Sequence, residues 1–273
     1  VASEVTKLAL DYPTNHSLAT PALTPTGVLW RDTVEQRSGG TRPGFAGSFA
    51  FWGSFGFAPL ASEPFLFGVY PGLSGGTIGV AAGNVAGNKH TVYRFDQGEK
   101  LSPAEKQLNR EVLRVRPTEE TSYAIHNWTK GPLKGTPEGI PDVQGTPGIP
   151  VLSIHGIGDL FVPFAMEQVY AQRVARHDQS DLFVSRAIRE VNHCSYTDKE
   201  LSTGFADLIT WAHSDWAEGE GRPAGDEVLD PQDVASPSFG CTFTDQTSGA
   251  HPIWTAVGNP PCPKPSRDRD GRD

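Results

Sequence analysis

The stretch 149–212 constrains the fold more than any other part of this 273-residue chain, because its hydrophobic pattern changes period in a regular order. Residues 149–154 form a short apolar run of strand length, and 182–188 form a second. Between them, 163–176 reads as a helix opened by Pro163, and after them 197–212 reads as another. The last helix is the best specified. Thr197 and Glu200 stand at the two positions of a capping box, and Leu201, Phe205, Leu208 and Ala212 return to one face. A strand, helix, strand, helix order cannot be closed by hairpins, so it predicts parallel strands covered by helices, the α/β class.

The rest of the chain is less regular. In residues 1–64, Val5, Leu8 and Ala9 suggest a short helix, while Pro13, Pro21, Pro25 and Pro43 are expected to interrupt regular structure beyond it. This region reads as an irregular, partly helical lid. Its aromatic residues Phe45, Phe49, Phe51, Trp52, Phe55 and Phe57 can either line an acyl-binding pocket or form plain core, the commoner use of such a cluster. Residues 65–70 are apolar enough for a buried strand and lead into a glycine-rich segment. The pattern predicts a helix over 102–116, with Ser102 and Glu105 as capping box, Pro103 at its first position, and Leu108, Val112 and Val115 on one face. Residues 117–148 read as a loop. The organisation expected is therefore a cap or lid over 1–148, an α/β core over 149–218, and a loop-rich extension over 219–273 with a charged tail from Ser266.

In open α/β sheets, functional groups sit on the loops that leave the carboxyl ends of the strands. Asp159 comes after the first strand in His155-Gly156-Ile157-Gly158-Asp159, and His193 after the second in Val191-Asn192-His193-Cys194. A carboxylate and an imidazole on adjacent strand ends can meet, so that one ring nitrogen is held and the other is left free as a base. Taken singly, Asp159 is a turn or helix-capping residue and His193 an ordinary loop histidine; the pair in its strand and helix context favours chemistry.

These two loops resemble the α/β-hydrolase family, in which the last strands deliver an acid and then a histidine. The acid loop is the run 149–159 followed by Val162-Pro163, and the histidine loop is Asn192-His193-Cys194-Ser195-Tyr196-Thr197. The resemblance covers 149–212 and is weak elsewhere. It implies a serine hydrolase with Asp159 orienting His193, acting on a small-molecule carboxylic ester or, less readily, an amide, without metal or cofactor. In this resemblance His155 lies in the acid turn without a chemical role.

The family presents its nucleophile in G-x-S-x-G, a strained turn between strand and helix. One match stands at Gly72-Leu73-Ser74-Gly75-Gly76, ahead of Asp159 and His193 in the required order. On that reading Ser74 attacks the acyl carbon and the amide of Gly75 helps bind the oxyanion. Two features oppose it. Gly75, Gly76, Gly79 and Gly83 make a poor helix after the turn, and residues 1–64 lack the strands expected before a nucleophile. The alternative is a serine upstream of Val1. A second alternative is a catalytically silent domain that retains the fold for binding.

A net charge of −9 without a dense Lys/Arg cluster argues against nucleic acid as a partner. No apolar run is long enough to span a membrane. A dinucleotide-binding domain is disfavoured, since no G-x-G-x-x-G lies between a strand and a helix. Of three cysteines, Cys241 and Cys262 either staple the extension, which would imply an oxidising compartment or secretion, or remain reduced thiols; Cys194 is the third.

Overall fold

The computed structural model describes residues 23–57, 88–114 and 143–264, with backbone alone over 53–57. The short helix near Val5, the strand at 65–70, the turn at 72–76 with Ser74 and Gly75, most of the 117–148 connector and the tail from Ser266 lie outside these residues. The described chain divides into two compact units. One holds 23–37, 52–57, 88–114 and 143–144, the other 38–51 and 145–264.

In the first unit, α1 spans Pro25–Arg37. Pro25 does not interrupt this helix but opens it. Thr24 accepts from the Gly27 N–H through its hydroxyl and from the Val28 N–H through its carbonyl, leaving proline at the position where a missing N–H costs nothing. Helix α2, Phe45–Phe57, starts soon after Pro43, carries the aromatic cluster and belongs to the second unit up to Phe51. Helix α3 is Pro103–Glu111 and has the expected capping box, but ends short of 116 because Val112 turns to extended backbone. The chain there is tied back to the strap at 88–95. Asn109 bonds both backbone groups of Tyr93, and the Arg114 guanidinium reaches the carbonyls of Asn88 and Thr91.

The second unit contains the alternation seen in the sequence. β1 is Val151–Gly156, α4 Ala165–Arg176, β2 Phe183–Ile188 and α5 Asp198–Ala212. The two strands pair in parallel, with Val151 opposite Phe183 and Gly156 opposite Ile188. α5 begins with the expected box, Thr197 accepting from the Glu200 N–H and Glu200 from the Thr197 N–H. α4 begins two residues later than Pro163 predicts, and its first N–H, from Ala165, is satisfied by the Ser38 carbonyl. Phe45, Phe49 and Ala50 at the start of α2 are buried in this unit, the two rings 5.9 Å apart, so these aromatic residues form core.

β2 is buried along its whole length. Beyond it, Asp226 ties the extension to the strand: its N–H donates to the Ser185 carbonyl, and its carboxylate accepts from the Ala187 N–H. The remaining extension forms the short helices α6, Pro231–Ala235, and α7, Pro252–Ala256. It is closed by a disulfide between Cys241 and Cys262, whose Cα atoms lie 5.7 Å apart. Around the carboxyl ends of the strands, Ile157, Phe164, Ile188, Val191 and Phe239 are buried. Each large apolar side chain fully buried there contributes roughly 1.5–3 kcal/mol, which makes the loops leaving the strands a firm platform.

Candidate active site

The loops leaving β1 and β2 are laced together by backbone. The Ile157 N–H donates to the Ile188 carbonyl at 2.9 Å, and the Gly158 N–H to the Glu190 carbonyl at 2.9 Å. Gly158 is needed for this approach, since a Cβ there would collide with the Ser48 hydroxyl and stand 2.9 Å from the Glu190 carbonyl oxygen. The close turn delivers Asp159 to a buried position.

Asp159 has three donors around its carboxylate. Oδ1 accepts from the N–H groups of Phe161 and Val162, at 2.8 and 3.1 Å. Oδ2 accepts from His193 Nδ1 at 2.6 Å. The carboxylate is thus both the cap of its own turn and the partner of the imidazole; the sequence posed these as alternatives. With Nδ1 donating, the neutral imidazole leaves Nε2 free to accept a proton. The His193 side chain is 37% exposed, whereas that of Asp159 is almost wholly buried. The acid is therefore shielded and the base accessible. The Phe161 ring stands edge-on to the imidazole at 4.9 Å.

Cys194 has left-handed backbone, with φ of 55°, and its exposed sulfur lies 3.5 Å from His193 Nε2. An adduct on this sulfur would crowd the free ring nitrogen. Alkylation by iodoacetamide should accordingly lower any ester turnover at least tenfold, while Cys194→Ala protein should be insensitive. Equal turnover before and after complete alkylation would show that Nε2 is approached from another side.

His155 takes a structural place in the acid loop. Its Nε2 bonds the Val162 carbonyl at 3.0 Å, and its ring meets Phe164 edge-on at 5.8 Å. Asp159 and His193 are therefore brought together, while Ser74 and Gly75 lie outside the described residues.

A second buried histidine carries no signal in its sequence context. His251 lies between two carboxylates, with Nδ1 2.8 Å from Glu190 Oε2 and Nε2 2.9 Å from Glu200 Oε1. Glu190 lies just beyond β2, and Glu200 is the capping-box acid of α5, so both flank the histidine loop. The capping signal found Glu200; nothing in the spacing of 190, 200 and 251 connects the three.

Among the described residues, no three His, Cys, Asp or Glu side chains gather as a metal site, and no helix is long and apolar enough to cross a membrane. The chain is 31% identical over 96 residues to an o-phthalyl amidase of Xanthobacter agilis, a match covering 35% of this chain and 19% of that protein. The matched part thus spans about a fifth of that relative. No family model matches the chain, and no solved structure matches it.

Proposed function

We propose that this chain supplies the acid and base of a serine hydrolase of the α/β-hydrolase type, acting on a carboxylic ester or amide through an acyl-enzyme. The observation that carries this reading is the short bond between buried Asp159 and His193 Nδ1, which leaves Nε2 as the proton-accepting nitrogen of a part-exposed ring. His193 takes the proton of the attacking hydroxyl and returns it to the leaving group, and Asp159 fixes the tautomer and stabilises the imidazolium. Likeness to an amidase supports keeping the amide beside the ester in the substrate class. In this reading Ser74 is the nucleophile and the Gly75 N–H contributes to the oxyanion hole.

A fluorophosphonate probe tests the proposal directly, because it reacts with a serine whose hydroxyl is activated by a neighbouring base. The intact protein should be labelled at Ser74, and labelling should be lost in both Ser74→Ala and His193→Ala. A protein that takes up no probe at any serine, yet is folded by circular dichroism, overturns the reading.

A further inference from the structure

The histidine loop is clamped at both ends by carboxylates. At its entry, Glu190 Oε1 accepts from the N–H groups of Val191 and Asn192, at 2.6 and 2.9 Å. At its exit, Glu200 Oε2 accepts from the Thr197 N–H at 2.8 Å, and its Oε1 from the Asp245 N–H at 2.7 Å. The free oxygen of Glu190 and the shared oxygen of Glu200 both face His251. These three side chains are all buried, and no stretch of regular structure spans the loop between them.

We propose that His251 is a positioning residue for His193: by tying Glu190 to Glu200 it closes the base of the histidine loop and holds the imidazole of His193 against Asp159. The inference rests on the reading of His193 as the base. A neutral imidazole has one N–H, so it can serve only one of two carboxylates and turns a lone pair on the other. Both bonds therefore require the imidazolium, two carboxylates and one cation together. Burial opposes the charged ring, but the hydrogen bonds to Glu190 and Glu200 outweigh it and hold His251 up to about 9. Burial would likewise raise Glu200, and its bonds from His251, Asp245 and Thr197 outweigh that and hold it below the ordinary carboxylate value. The other charged groups nearby are Asp245, which is paired with Lys199 at 3.2 Å, and Arg189, whose guanidinium is held by backbone carbonyls.

The clamp gives stability a definite pH dependence. A histidine whose folded pKa is raised above 6.5 stabilises the fold fully below that value and loses the contribution as pH rises through about 9. Glu200, being lowered, contributes above its ordinary 4.5 and fails as pH falls through its folded value. The clamp is intact between these limits.

Two measurements test the positioning role apart from hydrolysis. In wild-type protein, the non-exchanging Cε1–H of His193, assigned by its absence in His193→Ala, should show an inflection at about pH 9 in a proton NMR titration as His251 loses its proton. In His251→Gln, the low-field Nδ1–H signal of His193 should broaden or vanish, and kcat for a p-nitrophenyl ester should fall at least tenfold with KM within twofold. A His193 trace that stays flat while the Cε1–H of His251 itself titrates overturns the proposal without need of any variant. So does a folded His251→Gln protein that keeps both the signal and kcat. A wild-type protein without esterase activity would instead remove the hydrolase reading, and the two NMR signals would still decide whether His251 holds His193.

Discussion

Asp159→Asn is expected to lower kcat about 10⁴-fold, and His193→Ala at least as much, although both proteins should fold. The reason lies in how Asp159 is held. Its Oδ1 accepts from the Phe161 and Val162 N–H groups, so in the asparagine variant the amide oxygen stays there and the NH₂ turns toward His193. An NH₂ facing Nδ1 makes that nitrogen the acceptor and moves the ring proton to Nε2. The geometry survives while the free nitrogen, now protonated, can no longer act as base. A wrong tautomer in an otherwise intact triad costs about four orders of magnitude, and members of a triad act as a unit, so their losses do not add. The check is the kcat of both single variants and of the double variant with a p-nitrophenyl ester. Retention of more than about a tenth of wild-type kcat by either single variant would end the triad reading, because a positioning effect of that size is too small for a base.

The parts of this fold that could be read from the sequence are those in which the signal is local. The Thr197 and Glu200 box and the Ser102 and Glu105 box each satisfy helix-end donors within four residues, and both helices start where the boxes stand. Asp159 and His193 were legible because each lies on the loop leaving a strand, and parallel pairing of adjacent strands brings their carboxyl ends together. Elsewhere the sequence misleads, in two places for local reasons and in one because a long-range contact decides. α1 was hidden by Pro25, which reads as a breaker unless Thr24 is recognised as its cap. α2 was hidden for another reason. Its sequence, FAGSFAFWGSFGF, has no polar face and therefore no helical period. The helix at 103–111 stops early because Asn109 and Arg114 bond backbone at 88–93, an arrangement that no local propensity encodes.

The same distinction separates the two histidines. His193 stands on a recognisable loop beyond a strand, whereas His251 precedes a short helix and meets Glu190 and Glu200 only in three dimensions. The pairing of Cys241 with Cys262 was open in the sequence and closed by proximity. These features belong to the C-terminal extension, whose polar, proline-rich composition masks how much of the histidine loop it supports. Asp226 shows how this works at a single residue. Burial pushes its carboxyl up, against the Ala187 N–H and Arg186, and the side chain is kept because it satisfies a donor on the outer side of β2.

Arg189→Met is expected to destabilise the protein by about 3–5 kcal/mol, the largest loss for a residue outside the acid and base pair. Arg189 lies directly after β2, is buried to 2% exposure, and its guanidinium donates to the carbonyls of Pro237, Phe239 and Pro260. These carbonyls come from both ends of the disulfide-closed extension, so one side chain gathers segments that make no regular structure with one another. Burial lowers the pKa of Arg189, so the site opposes the charge it holds. Methionine fills much of the volume and removes that opposition, yet leaves three carbonyls to find new donors, at roughly 1–3 kcal/mol for each one left unsatisfied. Part of this is returned because the charge no longer has to be desolvated, which is why the expected sum is below the maximum. Lysine should restore little, since a single ammonium cannot span the separate directions that the planar fork serves. Urea unfolding followed by tryptophan fluorescence reads the effect as a lower midpoint at unchanged slope. The loss should also weaken the support beneath Glu190, the next residue in the chain, so the Arg189→Met protein should lose His193 reactivity at a lower urea concentration than wild type. A midpoint shift equivalent to less than about 1 kcal/mol would mean that the extension is held by its disulfide and apolar contacts, with the guanidinium a passenger.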